Sequence, residues 1–166
     1  MRTNGSVYVA VVIAALIGYF SYQWWFNPAR AVKRRLGEVA AALSFPAEES
    51  DIGRVTRVAT LRRYLADNIQ VRAGASAPEI TSRDVALGIV GSFIPPPGGW
   101  DVGFADVQIT IESESTARAD LSLEITTRTP QGQPSMDSQD AAVTLAKRDG
   151  EWVITSAAMK RAPVSP

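Results

Sequence analysis

The side chains that most enzymes use for proton transfer and nucleophilic attack are missing from this chain. Its 166 residues contain no His and no Cys. That composition removes the Ser–His–Asp triad, the Cys–His pair, the HExxH zinc site and Cys-ligated zinc together. Catalysis would have to use carboxylates, Tyr, Lys or Arg, so the sequence favours a non-catalytic protein without a cofactor.

Acidic side chains are the remaining candidates for metal ligands. Those in the second half of the chain lack the spacing of a calcium-binding loop. We interpret them as solvated residues of turns and strand faces and predict no metal site. The residues considered are Glu112, Glu114, Asp120, Asp137 and Asp140.

Charge and length narrow the class of protein. The chain has 17 basic and 17 acidic residues, a formal net charge of zero, which argues against a general nucleic-acid binder. About 140 residues follow the first 26, a typical size for one domain.

An uncharged segment near the amino terminus predicts a membrane anchor. Residues 7–26 read VYVAVVIAALIGYFSYQWWF, and a helix of this length spans about 30 Å, the thickness of a bilayer core. A cleaved signal peptide is the alternative, because Ala29-x-Ala31 resembles a cleavage site, but the preceding aromatic residues favour an anchor. We therefore predict a tail at 1–6, a transmembrane helix at 7–26 and one domain at 27–166.

Aromatic and basic side chains around residue 26 are predicted to lie at the membrane interface. The positive-inside rule, counted simply, places the domain in the cytoplasm. The predicted interface residues are Tyr22, Trp24, Trp25, Arg30, Lys33, Arg34 and Arg35.

Three amphipathic helices are expected after the anchor. Residues 29–43 repeat apolar side chains at the spacing of one helical face, and Pro46 ends that pattern. A second helix is predicted to begin at Ser50 and to bury Ile52 and Val55.

The polar side of the second helix carries four arginines, Arg57 among them, which we interpret as a solvated face. A third helix is predicted to begin at Ser82 with Val85 and Ile89 facing inward.

The rest of the domain reads as strands. Residues 68–72 form a short first strand, and 95–99 (PPPGG) a rigid connection into the sheet. Residues 130–138 read as a loop, and Asp149-Gly150 as a two-residue hairpin turn. Helices followed by long alternating strands predict an α+β fold, with the helices packed on one face of an antiparallel sheet. The later strands are predicted at 107–112, 117–126, 140–147 and 151–160.

Three segments resemble the NTF2-like superfamily, which includes SnoaL-like and ketosteroid-isomerase-like proteins. They are YLADNIQV at 64–71, ITSRD at 80–84 and AKRDGEWVI at 146–154. The resemblance implies a bacterial, membrane-anchored member in which three helices pack on a curved antiparallel sheet. It also implies a cone with a pocket between helices and sheet.

The resemblance does not bring isomerase chemistry. Isomerase-like members use a general-base Asp just after the first strand and an acid Tyr on the first helix. Here Ala73 stands at the base position, and residues 28–63 contain no Tyr. The tentative pocket residues are Tyr64, Arg72 and Trp100, whereas Trp152 is expected to anchor the core.

These observations favour a non-catalytic, membrane-tethered module that mediates protein–protein interaction. Its expected partners are the lipid bilayer and either another protein or a second copy of the chain, but not nucleic acid. The alternatives are a domain that binds a small apolar ligand and, less favoured, a SnoaL-like enzyme that uses a carboxylate such as Asp67. The architecture resembles VirB8-like secretion components, which implies a bacterial inner-membrane protein with a periplasmic domain, against the charge count.

Overall fold

The computed structural model describes residues 10–19, 27–74, 77–129 and 131–160. After a helical stretch at residues 10–19, the described chain has three further helices and five strands in the order α, α, β, α, β, β, β, β. They are α1 (Pro28–Leu43), α2 (Asp51–Tyr64), β1 (Leu65–Arg72), α3 (Arg83–Ser92), β2 (Trp100–Ser113), β3 (Thr116–Arg128), β4 (Pro134–Arg148) and β5 (Glu151–Met159).

The first two helices begin where local chemistry places their caps. Asn27 Oδ1 accepts a hydrogen bond from the Ala29 amide at 3.0 Å, and Pro28 fills the first helical position. Ser50 Oγ accepts from the Gly53 amide at 3.1 Å. Ser82 precedes α3 as predicted, but its side chain makes no capping hydrogen bond.

The sheet is mixed, whereas an antiparallel sheet was predicted. Its strand order is β1-β5-β4-β3-β2, and the three pairs among β2–β5 are antiparallel. β1 runs parallel to β5 at the edge. Parallel neighbours require a long crossover, and all of α3 and β2–β4 lies between these two strands in the chain.

Three strands begin several residues earlier than predicted, and one of them is β1, which begins at Leu65 instead of 68. β2 begins at Trp100, and β4 begins at Pro134, inside the predicted loop at 130–138. The β3–β4 ladder continues in register from Thr116↔Ala146 to Arg128↔Pro134. Backbone pairing therefore extends β4 through residues that are mostly polar and lack the alternating pattern.

β4 also extends beyond its neighbour β5. The β4–β5 pairing runs from Ala141↔Met159 to Arg148↔Glu151, and Lys160 donates its amide to the Asp140 carbonyl. Among the described residues, 134–139 pair with β3 only.

The core lies between the helices and one face of the sheet. α1 contributes Val32, Leu36 and Val39, and the central strands contribute the fully buried Ala117 and Leu145. Trp152 is 5% exposed within the same cluster. The prediction that it anchors the core is confirmed.

The buried faces of α2 and α3 differ from those predicted. Ile52 and Val55 are 80% and 69% exposed, whereas Arg57 is only 8% exposed. The apolar stripe of α2 is narrow. Arg57 can occupy an inward position because its charge is paired with that of Glu49, just before the helix.

On α3, Leu87 is the buried residue, and Val85 and Ile89 are more than half exposed. The predicted burial of these two side chains is therefore wrong, although Ile89 still lines a pocket with residues of the sheet.

Only part of the predicted anchor falls within the described residues. Residues 10–19 are helical and exposed throughout. Residues 7–9 and 20–26, including Tyr22, Trp24 and Trp25, lie outside the described part of the chain. Within that part, no helix combines the length and apolar character needed to cross a membrane.

Candidate functional site

Two openings lie at opposite ends of α1. Its first residues line a polar groove, whereas Leu43 at its carboxyl end lines an apolar pocket. A helix of 16 residues is about 24 Å long. α1 therefore separates two chemically different surfaces.

The first opening, here called the basic groove, has a volume of about 670 Å³. It lies between the first turns of α1 and the β4–β5 hairpin. Four cationic side chains and one carboxylate line it, so its charge is positive although the whole chain is neutral. The lining residues are Asn27, Pro28, Arg30, Ala31, Arg34, Arg35, Lys147, Gly150, Glu151 and Trp152.

Arg35 fixes one side of the basic groove. Its guanidinium donates to Glu151 Oε2 at 2.8 Å and to Glu38 Oε2 at 2.9 Å, and it lies 4.5 Å from the centroid of the Tyr64 ring. Arg34 is more exposed and lies 4.0 Å from Glu38. The groove thus combines one immobilised guanidinium with cations whose head groups face solvent.

The predicted interface residues of α1 divide between two surfaces. Arg30, Arg34 and Arg35 line the basic groove, whereas Lys33 is exposed away from it. Lys147 was not predicted. The alternation of β4 could have located Lys147. It lies on the same strand face as the buried Val143 and Leu145, and it pairs with Trp152.

The second opening, the apolar pocket, has a volume of about 180 Å³. Phe45 and Phe93 form an edge-on pair with ring centroids 5.0 Å apart, and Phe93 packs against Trp100 at 4.7 Å. Every lining residue is hydrophobic. They are Leu43, Phe45, Ile89, Val90, Phe93, Trp100, Val102, Leu123 and Ile125.

The PPPGG connection places Trp100 against the end of α1. Phe45 and Trp100 exchange two backbone hydrogen bonds, of 2.6 and 2.8 Å. Gly99 has a φ of +85°, and a β-carbon there would lie 2.6 Å from the Phe45 carbonyl oxygen. The predicted rigid connection into the sheet is confirmed, and it depends on a residue without a side chain.

The indole nitrogen of Trp100 is a buried donor. Nε1 has no hydrogen-bond partner within the described residues. An unpaired buried donor is costly, and no polar atom forms part of the pocket surface.

The three predicted pocket residues do not share one opening. Arg72 lies at the end of β1, and its side chain is 64% exposed and paired with Glu79 at 2.9 Å. Tyr64 lines a separate open groove between α1 and α2, and only Trp100 lines the apolar pocket. The predicted inward orientation of Arg72 is wrong, because the ion pair holds its guanidinium at the surface.

The carboxylate considered for a SnoaL-like reaction also lies at the surface. The Asp67 side chain is 83% exposed and pairs with Arg83. It lines neither the basic groove nor the apolar pocket. The geometry therefore offers no enclosed site in which Asp67 could act as a general base.

Comparison with solved structures identifies the fold. An NTF2-like protein with a cystatin-like fold from Novosphingobium aromaticivorans aligns with a TM-score of 0.67 and 8% identity, covering 90% of this chain and 92% of that one. A protein of unknown function from Mycobacterium tuberculosis gives 0.66 and 11%, covering 86% and 75%. The association domain of C. elegans CaMKII gives 0.58 and 12%, covering 81% and 93%.

No protein-family model matches the sequence. No curated protein matches it either. At these identities the structural likeness establishes an NTF2-like, cystatin-like α+β fold and nothing finer. The predicted fold class is confirmed at that level.

Proposed function

We propose that this chain is a membrane-tethered, non-catalytic association module that binds a second copy of itself. The observation that carries the proposal is that apolar side chains fill most of the space between the helices and the sheet. The helices and the sheet meet in a continuous cluster of buried apolar side chains, among them Leu36, Leu61, Ile69, Leu145 and Trp152.

The apolar pocket gives little support to catalysis. About 180 Å³ is smaller than the range of about 300–1,000 Å³ typical of ligand sites. None of its lining residues is ionisable, so it holds no general acid or base. The ionisable side chains that could serve a function therefore lie outside this pocket.

One structural neighbour is named for association rather than for a reaction. The C. elegans CaMKII association domain shares the fold at 12% identity. A shared fold does not transfer a function, but it supports association as a use to which this architecture is put.

The outer face of the sheet is the surface proposed for self-association. It carries short, half-buried side chains in adjacent cross-strand rows, with an ion-pair cluster of Arg118, Asp120 and Lys160 beside them. Short side chains allow two sheets to approach, and mixed charges can pair with their own copies across a two-fold axis. The short residues are Ser122, Ala142, Thr144, Ser156 and Ala158.

The tether is proposed from the amino-terminal segment. Residues 7–26 carry no charge. In the described portion at 10–19, large apolar side chains including Val11, Ile13, Leu16 and Ile17 are at least half exposed. A helix that is apolar on every side is typical of a membrane environment.

The association proposal is tested by measuring the mass of the full-length chain in mild detergent by light scattering. We expect a dimer, and we expect Ala142→Arg to give a monomer because it places a long cation at the centre of the outer face. Gly37→Arg is the matched control, since a side chain there meets nothing within 4 Å. A monomeric unaltered chain, with no dimer cross-links in membranes, would contradict the proposal.

A second candidate function is the binding of one small apolar molecule in the apolar pocket, whose lining residues are all hydrophobic. We expect cyclohexane to raise the melting temperature of the unaltered chain. Ile89→Arg, a change at a half-exposed lining residue, should abolish that rise. No rise with cyclohexane would reject this function.

A further inference from the structure

We infer that the basic groove is a binding site for the phosphate head group of an anionic phospholipid. This inference rests on the membrane tether in the proposed function, but it does not depend on self-association. Its basis is a convergence of side chains that are distant in sequence. Arg30 and Arg34 come from the first turns of α1, and Lys147 comes from the end of β4.

The groove has a large excess of positive charge. Its only lining carboxylate is Glu151, which already accepts a hydrogen bond from Arg35 at 2.8 Å. The head groups of Arg34 and Lys147 are exposed within the opening. A phosphate that enters therefore meets these two exposed cations. Arg34 also lies 4.0 Å from Glu38, which does not line the groove.

The size and shape of the groove suit a head group. About 670 Å³ is more than three times the volume of the apolar pocket. The groove is open on one side, so a lipid could present its phosphate while its acyl chains stay outside. Trp152 forms a rigid wall because it is buried in the core.

The position of the groove selects a lipid over a soluble anion. Asn27 and Pro28 line it, and the uncharged segment ends at residue 26, directly before Asn27. If that segment spans the bilayer, the groove lies at the level of the head groups. Each basic residue near an anionic surface contributes about 1 kcal/mol to attraction.

Two paired variants of the full-length chain in mild detergent test the inference. The groove variant is Arg34→Gln/Lys147→Gln. The control is Lys33→Gln/Arg148→Gln, which removes the same charge from the same two elements at exposed positions that do not line the groove. Because all four side chains are exposed, we expect both variants to keep the melting temperature of the unaltered chain.

Calorimetric titration with dihexanoylphosphatidylglycerol, dihexanoylphosphatidylcholine and inorganic phosphate is the measurement. We expect the unaltered chain to prefer phosphatidylglycerol over both other probes. Removing two groove cations should weaken that binding about 30-fold, whereas the control should change it by about twofold or less. Binding should also weaken as salt is raised.

Three results would overturn the inference. Equal losses in the two variants would mean diffuse surface charge rather than a site. Equal affinities for the two lipids would mean no role for head-group charge, and equal binding of inorganic phosphate would point to a soluble anion. A monomeric chain with the expected lipid preference would refute self-association but support the lipid site. A dimer without lipid preference would support self-association and refute the lipid site.

Discussion

Arg57 shows how a single residue can reverse an amphipathic pattern. Its side chain and that of Glu49 are 7% and 10% exposed, and they are joined by a hydrogen bond of 2.9 Å from Nε. The guanidinium also lies 3.6 Å from the centroid of the Phe45 ring. A buried ion pair loses much of its Coulomb attraction to desolvation, but removing one partner leaves the other charge buried and unpaired.

Replacing one partner of this ion pair should destabilise the domain more than replacing both partners together. We expect Arg57→Met alone, or Glu49→Leu alone, to lower the free energy of unfolding by about 3 kcal/mol, which lowers the melting temperature by about 10 °C. The double variant should lose much less than the sum. Thermal unfolding of the full-length chain in detergent, followed by circular dichroism, measures this; additive losses would contradict the coupling.

Asp120 gives the outer face of the sheet a dependence on pH. The Lys160 ammonium, 2.7 Å away, and the Arg118 guanidinium, 3.3 Å away, hydrogen-bond its carboxylate and hold its pKa below the ordinary value of 3.8. A lowered pKa in the folded state stabilises the fold above the unfolded pKa. That stabilisation is lost as the pH falls through the folded pKa.

We therefore expect Asp120→Asn to lower the melting temperature at pH 7 by a small amount. This difference should shrink as the pH falls from the ordinary pKa of 3.8 through the lower pKa of the folded state. Added salt should reduce the difference, because the three side chains are partly solvated. Asp137→Asn, which removes an exposed carboxylate outside this cluster, is the control. A difference for Asp120→Asn that does not shrink once the pH falls below 3.8 would contradict the assignment.

At the scale of elements, the PPPGG connection decides how the sheet meets the helices. Gly98 and Gly99 both have positive φ, and Gly99 lies against the backbone of residues 45–47. Since the same residues carry the Phe45–Trp100 backbone pair, the connection sets the position of Trp100 in the apolar pocket.

Gly99→Ala should cost more than backbone strain alone. Gly132 also has a positive φ, of +78°, but a β-carbon there meets nothing within 4 Å. We expect Gly132→Ala to lower stability by about 1 kcal/mol, and Gly99→Ala to lower it at least twice as much and to shift the fluorescence of Trp100. Equal losses of stability in the two variants, measured by thermal unfolding, would show that the close approach of Gly99 to the backbone of residues 45–47 adds nothing to the cost.

The sequence predicted the elements whose signals are local. The start of α2 after Ser50 and the turn at Asp149-Gly150, where both residues have positive φ, follow from cap and turn chemistry. Burial depends on partners distant in sequence, so the inward Arg57 and the exposed Ile52 could not be predicted from α2 alone. The first half of β4 was missed because its pairing with β3, rather than its own composition, makes it a strand.

At the scale of the whole molecule, the basic groove and the apolar pocket lie at the two ends of α1. The end that carries Asn27 leads directly to the uncharged segment. In a tethered chain, the groove therefore faces the membrane side, and the chemistry of the apolar pocket lies about 24 Å further along α1. The sequence predicted the α1 residues of the candidate lipid site. It did not predict Lys147, which only the fold brings beside them.

The absence of Cys makes the membrane topology directly measurable. We expect Ser115→Cys, in the exposed β2–β3 turn, to react with a membrane-impermeant maleimide in intact cells of a Gram-negative host. Ser6→Cys, in the amino-terminal tail, should react only after lysis. The opposite pattern would place the domain in the cytoplasm, as the charge count alone predicts.

The extension of β4 beyond β5 has a consequence for solubility. Along residues 134–139 one backbone edge pairs with β3, and the other pairs with no described strand. Open edges invite pairing with other chains, and proline or charge on the edge opposes it. Pro134 and Asp137 supply both here. Asp137→Val, which removes the charge and raises the strand propensity of the open edge, should therefore promote fibrous aggregation from this edge while the core stays folded.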